Sequence, residues 1–151
     1  MDVRKLSTKI CNLFQVKYDP LTESIVFPVR DDRGRLIFLT RRSVNTKFFS
    51  IPEDAEKPVY LLYYIKQHNI DTVFVCESQI NTLYLCSLGY PAIGLFGTGS
   101  EEQYEILNKC EISHYYLALD GDRAGRLGIR RFINKVHSGA FIDVIILSFS
   151  S

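Results

Sequence analysis

The sequence predicts an α/β fold, a mostly parallel sheet with helices on both faces, preceded by a small β-rich subdomain. Three observations predict it. From Pro58 onward, short continuous apolar runs alternate with segments of helical period. That is the pattern of strands buried on both faces and joined by crossover helices. Before Pro58, residues 24–29 and 35–39 are short β-type runs separated by Asp31-Asp32-Arg33-Gly34, whose Asp and Gly favour a turn, so this stretch reads as an antiparallel hairpin. The change of character at Pro58 sets the division: residues 1–57 form the β-rich basic subdomain and residues 58–151 the α/β domain.

Element by element, residues 47–51 form a further extended piece ending at Pro52. Residues 59–68 read as a short helix behind a proline, and residues 71–76 as a buried strand. A helix over 79–88 is stopped by Gly89, and residues 91–96 are strand-like. Ser100 is placed to cap a helix over 101–109. Residues 114–119 form another buried strand. The helix over 123–137 carries Ile129, Phe132, Ile133 and Val136 on one apolar face, and residues 141–147 close the series as a strand.

A chain of 151 residues is long enough for one domain with a real core plus a small subdomain. With 46% hydrophobic and 23% charged residues it has the composition of an ordinary soluble globular protein. Its longest apolar runs, such as 144–147, are too short to span a bilayer. The first residues lead into no signal-like stretch, so a cytoplasmic protein without membrane association is expected. Cys11, Cys76, Cys86 and Cys110 lack the paired spacing of a zinc site and are expected to be buried free thiols. His68, His114 and His137 show no ligand spacing either.

The net charge of +1 hides two basic segments. Residues 28–50 hold six basic residues against two acids, and residues 123–137 hold five basic residues and no acid. Two such segments on a nearly neutral chain suggest a local surface for a polyanion. The aromatics Phe48, Phe49, Tyr60, Tyr63 and Tyr64 are close enough in sequence to stack bases, but core packing is the expected role.

In open α/β sheets ligands sit beyond the carboxyl ends of the strands. Glu77 follows the strand ending at Cys76, and Asp120 and Asp122 follow the strand ending at Leu119. Three carboxylates converging on one rim repel unless a cation neutralises them. Hard oxygen ligands suit magnesium, which takes one or two carboxylates plus water and phosphate oxygens. Asp-x-Asp on an extended strand end would put two side chains on one side. Gly121 and Gly125 permit a tight turn into the next helix, whose first N–H groups favour phosphate.

The run 73–77 ending in Glu77, the Gly-containing strand and loop 89–99, and Asp120-Gly121-Asp122-Arg123-Ala124-Gly125 together resemble the Toprim signature. The last string is similar to the form found in bacterial and phage DNA primases. Upstream, Ile25-Val26-Phe27-Pro28, Gly34-Arg35, Arg41-Arg42 and Lys47 to Glu53 match, in order, the basic subdomain that precedes Toprim in primases. Three features depart from that pattern. Ser78 stands where glycine is usual, and Asn81 where aspartate is usual. The chain also stops at Ser151, where a further acidic motif normally follows, and carries no zinc-binding segment or helicase motif. A fragment of a larger protein, or a reduced one, is expected.

The resemblance implies the catalytic core of a DNA primase, joining nucleoside triphosphates into short RNA primers on single-stranded DNA template. Glu77, Asp120 and Asp122 would be catalytic and hold Mg²⁺ or Mn²⁺. Arg35, Arg41, Arg42, Lys47 and Arg123 would bind template or triphosphate, and a replicative helicase is a further implied partner. Three alternatives stay open: a Toprim nuclease or topoisomerase-like enzyme, a noncatalytic module binding single-stranded nucleic acid, and an aspartate-nucleophile phosphatase. The last normally carries its DxD at the first strand, whereas Asp120 lies late in the chain.

Overall fold

The computed structural model describes residues 5–45, 49–50 (backbone only), 56–137 and 139–145. Among the described residues the strands form two sheets of four, one antiparallel and one parallel.

The chain starts with α1 (Thr8–Leu13), capped by the Ser7 hydroxyl accepting from the Ile10 N–H, and β1 (Lys17–Asp19). Neither is expected from the sequence, because six and three residues are too few to display a period. β2 (Ser24–Arg30) and β3 (Leu36–Ser43) form the expected hairpin, with Phe27 opposite Thr40 and Ile25 opposite Arg42. β1 and β4 (Phe49–Ser50) flank it.

The helix expected over 59–68 starts only at Leu62. Tyr60 is taken instead by an antiparallel bridge to Gly94, its N–H donating to the Gly94 carbonyl at 2.8 Å and its carbonyl accepting in return at 3.1 Å. Leu61 then turns through a left-handed φ of 67° into α2 (Leu62–Gln67).

The parallel sheet follows the expected alternation: β5 (Thr72–Cys76), α3 (Gln79–Ser87), β6 (Ala92–Gly94), α4 (Glu101–Asn108), β7 (His114–Leu117), α5 (Arg123–Lys135) and β8 (Phe141–Val144). Its order is β6-β5-β7-β8, so β5 and β7 are neighbours. Ser100 caps α4 as expected and forms a full capping box with Gln103.

Val73, Val75, Tyr115 and Leu117 bury one face of the sheet against Tyr104, Leu107 and Phe132 of α4 and α5. α3 covers β5 and β6 on the other face, where Leu85 and Cys86 meet Cys76 and Ala92. Beyond α3, Phe74, Tyr116 and His114 stack face to face along this face, with centroids 5.0 and 4.2 Å apart. In α5, Phe132 and Val136 are buried and Ile129 packs beside them, but Ile133 is 47% exposed. The apolar stripe is narrower than the sequence suggests because α5 packs on one side only.

The antiparallel sheet docks through its inner face, where Phe27 shares a buried cluster with Tyr60, Leu61, Ile80 and Leu83. All four cysteines are free. Cys76 is buried, and the others are half-buried rather than fully enclosed. Among the described residues, no helix is long and apolar enough to cross a membrane.

Candidate functional site

The site lies where β5 and β7 end. β5 passes through Glu77 to Ser78, whose hydroxyl caps α3 by accepting from the Asn81 N–H at 3.1 Å. Because serine does the capping, the Glu77 carboxylate is left free of the helix. The chain beyond β6 stays beside this turn: the Leu95 N–H donates to the Cys76 carbonyl and the Gly97 N–H to the Glu77 carbonyl, each at 3.0 Å.

At β7 the strand ends at Leu117, so Asp120 and Asp122 are not alternate positions of one extended strand. Asp122 is the N-cap of α5, its Oδ1 accepting from the Gly125 N–H at 2.7 Å. Asp120 stands before the turn and is exposed. Gly125 is required by contact: a Cβ there would lie 1.8 Å from the Asp120 carbonyl oxygen.

The Glu77 carboxyl is held well above its ordinary value, at about 8. Burial is the largest cause, followed by a hydrogen bond with Asp120 that forms when a proton is present, then by the negative charges of Asp120 and Asp122. Its Oε1 is buried with no hydrogen-bond partner. An orphaned buried carboxylate oxygen beside two further aspartates is a donor set that fits a hard divalent cation. Among the described residues, no three Asp, Glu, His or Cys side chains cluster tightly enough to form a ready-made cage.

The basic residues divide sharply. Strand alternation sends Arg41 and Arg42 to opposite faces of β3. Arg41 pairs with Asp19 at 2.9 Å. Arg42 shares the inner face with Phe38 and Thr40, towards α3. Arg35 lies at the other end of the hairpin and pairs with Asp31 at 2.9 Å, away from this end of β3. Arg123 is exposed at the first position of α5, directly after Asp122. Farther along α5, Arg126 donates to the Gly121 carbonyl at 2.8 Å and Arg131 to the Thr98 hydroxyl at 2.5 Å. These contacts anchor the rim loops. Lys47 and Phe48 lie outside the described residues, and of Phe49 only the backbone is described. Tyr60 is buried in the core, with Tyr63 and Tyr64 half-buried beside it.

Sequence reasoning passed over Lys57, whose Nζ donates to the Phe96 carbonyl at 3.1 Å, one residue before the amide that binds Glu77. No spacing or periodicity marks a lone lysine before a proline. The one local signal lies in the structure itself, where Phe96 holds a left-handed φ of 55°, a strained conformation for a bulky side chain that is concentrated at functional sites.

Comparison with known proteins follows the same outline. The family described as Toprim-like matches residues 74–151. The DNA primase of Pseudomonas putida is 28% identical over 132 residues, covering 81% of this chain and 20% of that protein. The chain therefore spans about one fifth of the length of this relative. A structure of the DnaG primase catalytic domain bound to single-stranded DNA superposes with a TM-score of 0.78 at 20% identity, over 98% of this chain and 64% of that one. The primase fragment of the bacteriophage T7 primase-helicase protein gives 0.75 at 19% identity, over 97% and 64%. At these identities the structural matches speak for the fold.

Proposed function

The chain belongs to the Toprim-like family, and from that premise we propose that it is the nucleotidyl-transfer core of a DNA primase. It divides near residues 57 and 58 into a basic β-rich subdomain and a Toprim domain, acts in the cytoplasm, and makes short RNA primers on single-stranded DNA. The observation that carries the reading is the pairing of Glu77 and Asp120 on neighbouring strand ends, close enough to raise the Glu77 pKa to about 8, with Glu77 Oε1 orphaned. Primase relatives and a primase-like fold support the same assignment.

Glu77, Asp120 and the second oxygen of Asp122 would hold Mg²⁺ or Mn²⁺. When bound, the metal supplies charge neutralisation for the triphosphate and for the attacking hydroxyl. The chain's own residues do the rest. Asp122 fixes the start of α5 with one oxygen, which leaves the other for the cation. Glu77, ionised when it shares the cation, would relay the proton of the attacking 3′-hydroxyl. Arg42 and Arg123 would contact phosphate through charge-assisted hydrogen bonds. Lys47 is placed by the sequence resemblance in the same role. Arg35 and Arg41, already paired with Asp31 and Asp19, would contribute to the surrounding field. A helicase partner is proposed by analogy with the T7 protein, whose primase is part of a primase-helicase.

The test is synthesis of labelled ribonucleotide products on a single-stranded template with Mn²⁺. Asp120→Ala should lower the rate by at least about a hundredfold, the scale on which a charge-stabilising group acts. Template-dependent product at an undiminished rate from Asp120→Ala would overturn the reading.

A further inference from the structure

The inner face of β3 meets the molecule at the turn that carries Glu77. Phe38, Thr40 and Arg42 alternate along that face. Phe38 packs edge-on against Phe96, centroids 6.4 Å apart. The Thr40 hydroxyl donates to Gln79 Oε1 at 2.6 Å, with Thr40 0% and Gln79 3% exposed. Gln79 is the first residue of α3, two after Glu77. The cross-strand neighbours of Thr40 and Arg42, Phe27 and Ile25, pack with Ile80 and Leu83 of the same helix.

This is a polar contact in an otherwise apolar junction. The Gln79 amide and the Tyr60 hydroxyl are buried beside one another there. An apolar pair of similar volume would leave fewer buried polar atoms to satisfy. What a hydrogen bond adds is direction. Apolar contacts tolerate sliding, whereas a 2.6 Å bond between strand and helix allows one register.

We propose that Thr40 and Gln79 are positioning residues: their buried bond fixes the strand bearing Arg42 relative to the Glu77–Asp120 rim, so that a nucleic-acid strand on β3 and a cation at the rim engage together. The proposal rests on the nucleotidyl-transfer reading above. It requires the two ligands to be thermodynamically coupled, each raising affinity for the other by the same factor.

The experiment measures binding of a single-stranded oligothymidylate by fluorescence anisotropy, with and without saturating Mn²⁺, at fixed ionic strength. In the wild-type chain Mn²⁺ should tighten binding about fivefold. In Thr40→Val, which keeps the shape and removes the donor, that factor should fall to about one while each ligand alone binds within about twofold of wild type. Thr40→Ser should retain the coupling, and Gln79→Met should repeat the loss. Coupling that persists in Thr40→Val overturns the positioning role and leaves the nucleotidyl-transfer reading standing. No coupling in the wild type also overturns the positioning role, while ribonucleotide synthesis by the same preparation tests the nucleotidyl-transfer reading separately. If Thr40→Val and Gln79→Met both fail to fold by thermal unfolding, or lose oligonucleotide affinity without Mn²⁺ as well, the bond is merely structural and the proposal falls.

Discussion

After β5 the chain runs Cys76-Glu77-Ser78-Gln79 into α3, and after β7 it runs Leu119-Asp120-Gly121-Asp122-Arg123 into α5. Both turns must satisfy the free N–H groups of a new helix while leaving a carboxylate at the rim. The first assigns the two tasks to different residues: Ser78 caps and Glu77 is left free. The second makes Asp122 cap the helix with one oxygen, while Asp120 stands apart, and it needs Gly125 to fit against Asp120. An acidic pair two residues apart is thus not two equal ligands. One faces Glu77 and takes no part in capping, and the other is half committed to the backbone.

The largest expected difference between the turns is steric. Gly125→Ala puts a methyl against a backbone oxygen that cannot yield, and should cost at least about 3 kcal/mol. Asn81, at the equivalent third helical position after Ser78, already carries a side chain, so Asn81→Ala should stay within about 0.5 kcal/mol. Urea unfolding of both variants decides this; a Gly125→Ala protein as stable as Asn81→Ala would break the comparison.

The next effect is electrostatic as well as structural. Asp122→Ala should cost about 1 kcal/mol through loss of the cap and should weaken Mn²⁺ binding. Asp122→Ser should restore the stability but not the metal affinity. Calorimetry finding wild-type Mn²⁺ affinity in Asp122→Ser would reduce Asp122 to a cap.

The smallest effect concerns pH, because Glu77 is only partly buried and solvent screens it. Its folded pKa of about 8 lies above the ordinary 4.5, so the folded chain binds the extra proton in that interval. This stabilising contribution is complete below about pH 4.5 and is lost as pH rises through about 8. Without metal, thermal stability should therefore decline across that window, and Asp120→Asn should flatten the decline. A wild-type chain that grows more stable from this group between pH 5 and 8 would contradict the buried, repelled carboxylate.

The parts legible in the sequence are those dictated by neighbours in the chain. β5 and β7 announce themselves because strands buried on both faces are apolar throughout. Ser100 and Gln103 announce α4 because a capping box is local. Glu77, Asp120 and Asp122 could be picked out because they follow such strands. What the sequence conceals depends on partners far away in the chain. Tyr60 leaves its expected helix for a single bridge to Gly94, 34 residues on. The Arg41–Asp19 pair, which separates Arg41 from Arg42, forms across 22 residues. The bond between Thr40 and Gln79 spans 39 residues, and nothing in either neighbourhood signals it. Asp122 as a cap is legible in principle, since Asp is a favoured N-cap residue directly before a segment of helical period.

The Tyr60 bridge also governs how motion passes through the molecule. The segment around Tyr60 is fastened by two backbone hydrogen bonds to Gly94 before it becomes α2. Three residues beyond Gly94, the Gly97 amide holds the Glu77 carbonyl. A displacement of that segment therefore reaches the carboxylate turn through backbone alone, with no rotatable side chain between to absorb it. The linkage is stiff, like a strut rather than a hinge, and a shift of Tyr60 would be felt at Glu77 as a shift of the peptide that carries it.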